Sequence, residues 1–298
     1  MKIIVTGSLG NISKPLIMQL LQKGHEVTVI SSNAQKQKDI EALGARAAIG
    51  SLEDIDFITA TFAGADAVYC MIPPNNYFNH DLDLLAYYNT VAANYFKAIE
   101  ATDVKHVIYL SSVGAHLKQG SGIIMGHHAG EQIMNALPGD VAISFMRPVG
   151  FYYNLLGFVN VIKNKGFIEA NYGADEHLVW VSPIDIAAAV AEELITPLMG
   201  RKIRYVVSDE LSGNETAQIL GEAIGKPDLK WKLIPGEEWL ANLKAIGMNP
   251  AIAAGLVEMF ESQHNGLLTE DYYLNKPAHS GKIKMKDFAK DFAAVYNQ

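Results

Sequence analysis

A loop with two glycines lies directly after the first apolar segment of the chain. Residues Lys2–Val5 form a short apolar run, and Thr6-Gly7-Ser8-Leu9-Gly10-Asn11-Ile12-Ser13 follows it before a helical pattern begins. Gly7 permits a tight turn from strand to helix, and Gly10 lets the backbone approach a pyrophosphate, whose charge meets free N–H groups at the helix N-terminus. Ser13 is a third small residue, which allows close packing of helix and strand. Because the loop stands between a strand and a helix, it predicts a dinucleotide-binding site.

The first half of the chain alternates short apolar runs with segments of helical periodicity. The predicted strands are rich in Val, Ile or Ala: Lys2–Val5, Glu26–Ser31, Arg46–Ile49, Ala67–Met71, His106–Leu110 and Ala142–Arg147. The longest helical segment between them is Asp81–Ala101. Repeated βα units build a parallel sheet with helices on both faces. We therefore expect an α/β protein with a doubly wound parallel sheet, the Rossmann fold.

The pattern changes after Pro148, where helical segments dominate. The predicted helices are Asn154–Asn164, Ile184–Ile195, Thr216–Ile224, Glu237–Ile246 and Pro250–His264, and the predicted strands are Val179–Val181 and Ile203–Val207. We expect an NAD(P)-binding domain over residues 1–150 and a smaller, mostly helical substrate-binding subdomain over residues 151–298. Some segments of the second part are expected to return to the first sheet.

Composition limits the classes of partner. The 298 residues include 24 Lys plus Arg and 32 Asp plus Glu, a net charge of −8, which argues against a nucleic-acid or anionic-membrane binder. No apolar run reaches the ~18 residues of a membrane span. The first residues form a strand pattern rather than a signal peptide. Cys70, the single cysteine, lies in an apolar strand and is interpreted as inert packing. We expect a soluble, cytoplasmic monomer or homodimer that takes a small-molecule substrate.

Several segments resemble those of a known family. Thr6-Gly7-x-x-Gly10 is similar to the T-G-x-x-G-x-x-G loop of extended and atypical short-chain dehydrogenases/reductases. Matching segments follow in the order of that family: Gly50-Ser51-Leu52, Tyr69–Pro73, Tyr109–Ala115, Arg147–Asn154 and Val181–Ala187. The best match is the NmrA-like subgroup, which includes quinone oxidoreductases and NADP-sensing regulators. The segments after residue 210 are much less diagnostic.

The resemblance implies which residues hold the cofactor. They are Thr6, Gly7, Leu9, Gly10, Asn11, Ile12, Ser31, Ser32, Asn33, Lys36, Ser51, Leu52, Met71, Ile72, Pro73, Ser111, His127, Pro148, Val149 and Phe151. Tyr152, Tyr153 and Asn154 follow the sixth strand, at the end where open α/β sheets bind ligands. We expect these three to line a substrate pocket, and an aromatic core patch is the alternative.

The end of the second strand predicts the choice of cofactor. It reads Val29-Ile30-Ser31-Ser32-Asn33 and lacks the Asp or Glu that NAD-specific sites place there. Ser31, Ser32 and Asn33 can hydrogen-bond a 2′-phosphate, and Lys36 adds positive charge. We therefore expect a preference for NADP(H), with NAD(H) as the alternative cofactor.

The acid–base dyad of the family is missing. Its members use a Ser with a Tyr-x-x-x-Lys pair on the helix after the fifth strand, where the Tyr transfers a proton. Ser111 or Ser112 can take the serine place. Alignment on Glu131 puts His127 at the Lys place and Ile123 at the Tyr place, and Ile cannot transfer a proton. His127 is the candidate for binding the nicotinamide ribose or donating a proton. A polar residue on an exposed helix face is the alternative.

Four other features have simpler interpretations. Tyr272 and Lys276 form a Tyr-x-x-x-Lys string, which is interpreted as a surface pair. Asp185 is expected to cap a helix. Arg147 either faces the cofactor cleft or anchors a turn. No metal is expected, because His127 and His128 point about 100° apart on a helix and no further ligand follows from spacing.

Three functions remain open at this point. The first is an NADPH-dependent oxidoreductase that reduces a quinone, small carbonyl or enone. The second is a non-catalytic NADP-binding sensor or regulator, which shares the same fold. The third, a nucleotide-sugar epimerase or dehydratase, needs the acid–base tyrosine that Ile123 replaces.

Overall fold

The computed structural model describes all 298 residues. Its strands are β1 (Lys2–Val5), β2 (Glu26–Ser31), β3 (Arg46–Ile49), β4 (Ala67–Cys70), β5 (His106–Leu110), β6 (Ala142–Pro148), β7 (Gly150–Phe151), β8 (Ile168–Ala170), β9 (His177–Val181), β10 (Arg201–Val206), β11 (Asp209–Ser212) and β12 (Trp231–Leu233).

The helices lie between these strands and dominate the C-terminal third. They are α1 (Ser13–Gln22), α2 (Gln37–Ala42), α3 (Ile55–Phe62), α4 (Leu84–Glu100), α5 (Met125–Asn135), α6 (Val159–Lys165), α7 (Pro183–Ile195), α8 (Gly213–Ala223), α9 (Gly236–Ala245), α10 (Pro250–His264), α11 (Glu270–Leu274) and α12 (Met285–Tyr296). Three 3₁₀ helices cover Ala34–Lys36, Gly122–Ile124 and Tyr152–Phe158. None of the helices is both long and apolar enough to span a bilayer.

Seven parallel strands form the main sheet in the order β10-β6-β5-β4-β1-β2-β3. All six strands predicted for the first half are present, with ends that differ by at most one residue. The order reverses between β1 and β4, and open α/β sheets bind ligands at such a switch point, outside the C-terminal ends of the strands. The loop after β1 therefore lies where a ligand site is expected.

Helices cover both faces of this sheet, as the doubly wound fold requires. Side chains alternate along β1, so that Ile3 and Val5 join one core while Ile4 joins the other. The first core packs against α1 and α7, and the second against α3, α4 and α5. The predicted Rossmann fold is confirmed.

The second half of the chain contributes to the main sheet and also forms its own core. Strand β10 pairs with β6, and α7 packs on the first core. The remaining strands form two small sheets, β11-β9-β7 and β12-β8, beside a third core to which α8 and α12 contribute. The segment predicted as one helix over Asn154–Asn164 is a 3₁₀ helix followed by α6.

Asp185 is not a helix cap. The cap of α7 is Ser182, whose hydroxyl accepts the N–H of Ile184 at 3.2 Å. The Asp185 carboxylate instead accepts the Ser208 hydroxyl at 2.7 Å and the N–H groups of Lys282 and Ile283, each at 3.0 Å. It ties the segment before α12 to α7, a contact between residues almost one hundred positions apart.

Candidate functional site

The loop between β1 and α1 is held at both ends by side-chain hydrogen bonds. The Thr6 hydroxyl donates to the carbonyl of Tyr69 at 3.0 Å and accepts the N–H of Met71 at 2.8 Å. The Ser13 hydroxyl donates to the carbonyl of Thr6 at 2.8 Å. These bonds fix the loop between β1, β4 and the first turn of α1.

A side chain would be strained at Gly7 and crowded at Gly10 in this loop. Gly7 has φ of 87°, and a Cβ there would stand 2.7 Å from the Ser13 Oγ and 2.8 Å from the Met71 Sδ. A Cβ on Gly10 would stand 3.1 Å from the carbonyl oxygen of Gly7. Gly7 is therefore needed for the turn and its packing on Ser13 and Met71, while the exposed Gly10 leaves no side chain over the backbone where a pyrophosphate approaches in the Rossmann fold.

Free N–H groups follow the second glycine. The N–H of Gly10 donates to the Gly7 carbonyl at 3.1 Å, and that of Lys14 donates to the Gly10 carbonyl at 3.0 Å. The N–H groups of Asn11 and Ile12 donate to no group in the protein. Free donors at a helix N-terminus favour an anion, and the bare glycine backbone lets one approach. The loop fits the pyrophosphate of a dinucleotide.

The end of β2 contacts this loop directly. Ser31 is buried, and its hydroxyl accepts the Ser8 hydroxyl at 2.9 Å and the N–H of Asn33 at 3.2 Å. Ser32 and Asn33 are exposed, and the exposed Lys36 lies 3.7 Å from Asp39. No carboxylate stands at the end of β2 itself. Of the three exposed residues here, Asn33 accepts the N–H of Gln35 at 2.9 Å, and its amide nitrogen, Ser32 and the ammonium of Lys36 face solvent at the end of β2.

The segment after β4, residues 71–83, forms the β4–α4 loop and lies across the switch point. Its first carbonyls accept tyrosine hydroxyls from α4: Tyr95 donates to Met71 at 2.6 Å, and Tyr87 donates to Pro73 at 3.3 Å. Tyr95 is fully buried in α4, and its hydroxyl orients the neighbouring loop. Ile72 is buried beneath it.

The other cofactor candidates lie at the same edge of the sheet. Ser51 caps the turn after β3 and accepts the N–H of Glu53 at 3.1 Å, and the carbonyl of Leu52 accepts the Asn94 amide at 3.0 Å. The carbonyl of Pro148 accepts the N–H of Val113 at 2.9 Å. The Val149 side chain is buried, and Phe151 packs against the first core. Val149 and Phe151 can therefore offer a ligand only their backbone and the part of the Phe151 ring that is not covered.

His127 lies on α5 against an α4 tyrosine. Its ring packs edge-on to Tyr88, with centroids 5.0 Å apart, and its Nε2 lies 3.5 Å from the Tyr88 hydroxyl. The Nδ1 atom is buried without a hydrogen-bond partner. Burial lowers the pKa of His127 to about 4, and the negative charge of Glu131 opposes this shift. The imidazole is therefore neutral at pH 7 and has one unsatisfied nitrogen, which marks it as a candidate for ligand binding.

Ser111 does not have the free hydroxyl expected of a catalytic serine. It is 2% exposed, and its hydroxyl donates to the Glu131 carboxylate at 2.5 Å. That carboxylate also binds Arg147, at 2.9 Å from Nε and 2.7 Å from an Nη atom. Ser112, the alternative residue, is half-buried. Of the two serines, Ser112 remains the candidate.

Arg147 is a structural anchor and does not face the cofactor cleft. Besides its two bonds to Glu131, it donates to Asp271 at 2.9 Å and to the Tyr205 hydroxyl at 3.2 Å. Tyr205 also donates to Asp271. The buried guanidinium therefore links α5, β6, β10 and α11 in one ion-pair network.

The predicted substrate residues after β6 are separated by the structure. Tyr152 is 1% exposed, its hydroxyl donates to Asp209 at 2.9 Å and to the Ile283 carbonyl at 3.2 Å, and its ring stacks on Phe288. It belongs to the third core, an arrangement that favours the aromatic core patch for this residue over a pocket. Tyr153 and Asn154 are exposed beside it.

The Tyr-x-x-x-Lys string in α11 is structural. Tyr272 is buried rather than on the surface, and its hydroxyl donates to Glu210 at 2.6 Å. Lys276 binds the same carboxylate at 2.6 Å. Both side chains are thus paired with Glu210. Elsewhere, no group of three or more His, Cys, Asp or Glu side chains has an arrangement that could hold a metal ion.

The sheet order and the β1–α1 loop place the chain among the Rossmann-fold proteins. Comparison with protein families gives a finer assignment, because the NmrA-like family matches residues 1–285. The chain belongs to the NmrA-like family.

Similar proteins of known activity include three reductases. The NAD(P)H azoreductase of Xenophilus azovorans is 25% identical over 259 residues, which cover 87% of this chain and 86% of that protein. The triphenylmethane reductase of Citrobacter sp. superposes with a TM-score of 0.81 at 21% identity, over 99% of this chain and all of that one. The NADPH-dependent quinone oxidoreductase of Escherichia coli, solved with NADPH, gives 0.80 at 18% identity, over 97% and 99%.

Proposed function

We propose that the protein is an NADPH-dependent reductase that transfers a hydride to a small electron-poor acceptor: a quinone, a carbonyl compound or an enone. The observation behind this proposal is the β1–α1 loop, whose bare glycines and free N–H groups lie at the switch point of the sheet. The three reductases similar to this chain support the reaction class. NADPH supplies the hydride when it is bound, so the chain must hold it, orient the acceptor and exclude water.

Each part of the site has a task in this proposal. The N–H groups of Asn11 and Ile12 hold the pyrophosphate. Ser32, Asn33 and Lys36 contact the 2′-phosphate, which no carboxylate at the C-terminal end of β2 repels. This arrangement favours NADPH over NADH, although a strong arginine clamp on the phosphate is missing, so the preference is moderate.

His127 is proposed as a hydrogen-bonding residue for the nicotinamide ribose. A pKa of about 4 leaves too little protonated imidazole at pH 7 for an efficient proton donor, whereas the neutral ring still donates or accepts one hydrogen bond. Quinone reduction tolerates this arrangement, because its protons can come from solvent. The residue at the tyrosine place, Ile123, has no proton to give.

The substrate side is proposed to come from residues 151–298, apart from α7 and β10, which belong to the main sheet. Helix α10 packs on the 3₁₀ helix Gly122–Ile124 and on apolar side chains of the β4–α4 loop. Helix α10 therefore contacts both the β4–α4 loop and the segment that leads into α5.

Two measurements on the purified protein test the proposal. The first is calorimetric titration with NADPH and NADH, where we expect tighter binding of NADPH. The second is NADPH oxidation, followed at 340 nm, with a panel of benzoquinones, naphthoquinones, enones, aldehydes and azo dyes, where we expect turnover with at least one class. Tight NADPH binding without turnover on any acceptor would favour the sensor, and no binding of either nucleotide would reject both functions.

A further inference from the structure

Asn249 connects the C-terminal helices to the β4–α4 loop. It is 3% exposed and precedes Pro250, the first residue of α10. Its side-chain oxygen accepts the N–H groups of Ala251 and Ile252 at 2.9 and 3.3 Å, which caps the helix. Its amide nitrogen points toward the β4–α4 loop, so this one residue contacts both α10 and the loop.

The amide nitrogen is surrounded by carbonyls of the loop. It lies 3.0 Å from the oxygen of Asn79 and 3.3 Å from the oxygens of His80 and Leu82. The backbone N–H of Asn249 donates to the Tyr77 carbonyl at 2.9 Å. Four carbonyls of the loop are thus directed at a single buried residue.

The loop contains turns of its own: the N–H of Asn79 donates to the Asn76 carbonyl at 3.0 Å, and the N–H of Leu82 donates to the Asn79 carbonyl at 3.3 Å. Residues 71–83 contain no helix or strand, and most of them from Pro74 onward are exposed. Pro73 and Pro74 have no N–H to donate. Tyr77 and Leu82 pack on the small apolar cluster of Met248, Ile252 and Ala253, which itself flanks Asn249. Outside these turns, the middle of the loop is held by the start of α10 and the residues just before it.

Helix α10 also contacts the opposite wall of the cleft. A Cβ on Gly122 would stand 1.8 Å from the carbonyl oxygen of Gly255, so the 3₁₀ helix and α10 meet backbone to backbone. That 3₁₀ helix leads directly into α5 and His127. One helix therefore positions both the β4–α4 loop and the start of α5.

We propose that Asn249 is a positioning residue that latches the β4–α4 loop in the conformation that receives NADPH. This inference rests on the proposed function, because Met71, Ile72 and Pro73 of the loop are assigned to the cofactor. Without the amide donors the loop opens, and NADPH must close it on binding. If the closed fraction falls to about one tenth, the apparent Kd rises about tenfold, while the rate at saturation stays unchanged.

Two substitutions separate the latch from the helix cap. Asn249→Asp and Asn249→Ser both keep an oxygen that caps α10, because Asp, Asn and Ser are comparable N-caps. Both remove the amide donors, and Asn249→Ser does so without adding a charge among carbonyls. His80→Ala is the matched control, since it removes the exposed hydrogen bond from His80 to the Gly247 carbonyl at the same junction.

The experiment measures the Kd of NADPH by its fluorescence, the kcat with the best acceptor, and the rate of chymotrypsin cleavage after Tyr77 and Phe78. For both Asn249 variants we expect a Kd about tenfold higher, a kcat close to that of the wild type, and faster cleavage that NADPH suppresses. His80→Ala should resemble the wild type in all three.

The outcomes separate this inference from the proposed function. Wild-type Kd and wild-type cleavage in Asn249→Ser would overturn the latch, as would a lower kcat with unchanged Kd. If Asn249→Asp fails to fold, Asn249→Ser decides alone. If the wild-type protein itself binds no NADPH, the proposed function fails, and faster cleavage in the variants would then show a latch that serves another ligand, which also overturns the inference as stated.

Discussion

Gly7 and Gly10 determine how closely a phosphate can approach the start of α1. A valine at position 10 would bring its Cβ to 3.1 Å from the Gly7 carbonyl and cover the free N–H groups with further carbons. We predict that Gly10→Val abolishes the rise in Tm that NADPH produces, which for ligand at ~100 times its Kd corresponds to about 2.7 kcal/mol. Thermal unfolding with and without NADPH measures it.

The control for this substitution is Gly139→Val, because a Cβ at Gly139 meets nothing within 4 Å. That variant should keep the full shift. If NADPH raised the Tm of Gly10→Val as much as that of the wild type, the assignment of this loop to the cofactor site would be wrong.

The choice between NADPH and NADH depends on the end of β2. An aspartate at position 31 still accepts the Ser8 hydroxyl and the Asn33 N–H, but its charge repels a 2′-phosphate and attracts a ribose 2′-hydroxyl. We predict that Ser31→Asp binds NADH more tightly than NADPH in titration calorimetry. Ser31→Asn, of similar size and uncharged, should keep the original order; the assignment is wrong if both variants behave alike.

The imidazole of His127, half-buried with its Nδ1 fully enclosed, makes stability depend on pH. Its pKa is lowered to about 4, so between pH 4 and 6.5 the unfolded chain binds more protons on this residue than the folded protein does. Stability is therefore complete above pH 6.5 and falls as the pH falls. We predict that His127→Gln reduces the loss of unfolding free energy between about pH 7 and 4.5 by about 2 kcal/mol, measured by urea unfolding. An equal loss in both proteins would contradict the assigned burial.

Residue types alone could identify the loop but not every side chain at the site. Thr6, Gly7 and Gly10 could be assigned to the cofactor because the strand and helix patterns on either side of them are visible in the sequence. Ser111, Tyr152 and Tyr272 have partners that are far away in sequence, Glu131, Asp209 and Glu210, and no local signal announces such pairs. The hydroxyls of Ser111 and Tyr152, close to the ends of their strands, were therefore predicted to be open to a ligand, whereas the structure shows them hydrogen-bonded in the interior.

At the scale of elements, the network around Arg147 joins helix to sheet. Glu131 on α5 is almost fully buried and binds both Arg147 and Ser111. We predict that Glu131→Gln lowers the free energy of unfolding by about 3 kcal/mol, because removing one partner leaves a buried charge partly uncompensated. Urea unfolding at pH 7 measures the loss.

The exposed pair of Lys105 and Asp140, 2.8 Å apart, is the control for that loss. Water screens such a pair, so Asp140→Asn should leave the unfolding curve unchanged within error. Equal effects of the two substitutions would show that the Arg147 network contributes no more than a surface pair.

The inner strands of the main sheet were predictable because they are largely buried apolar runs, whereas the edge strands β3 and β10 are partly exposed. The strands β7, β8, β11 and β12 have two to four residues and mixed polarity, so their pattern is too short to recognise. The helix predicted over Asn154–Asn164 begins as a 3₁₀ helix, where Tyr152 and Leu155 are drawn into the third core. Tertiary packing, rather than local preference, determines these elements.

At the scale of the whole molecule, one sheet with its switch point beside β1 brings the separate segments together. The β1–α1 loop, the end of β2, the β4–α4 loop and the start of α5 are distant in sequence and meet at the C-terminal edge of the sheet. The C-terminal helices complete this edge through α10 and Asn249. The sequence motifs predicted which segments meet at this edge of the sheet. They did not predict the contribution of α10, because it arises from contacts between residues about 170 positions apart.

The measurement closest to the central claim is the kinetic isotope effect on NADPH oxidation with deuterium at either of the two C4 positions. A protein that binds the nicotinamide in one orientation and removes a hydride from it should show a primary isotope effect with one label and none with the other. This stereospecific effect, observed with an acceptor from the quinone, enone or carbonyl classes, is the result that we predict. Binding of NADPH without oxidation by any acceptor, or oxidation equally slowed by both labels, would contradict hydride transfer at this site.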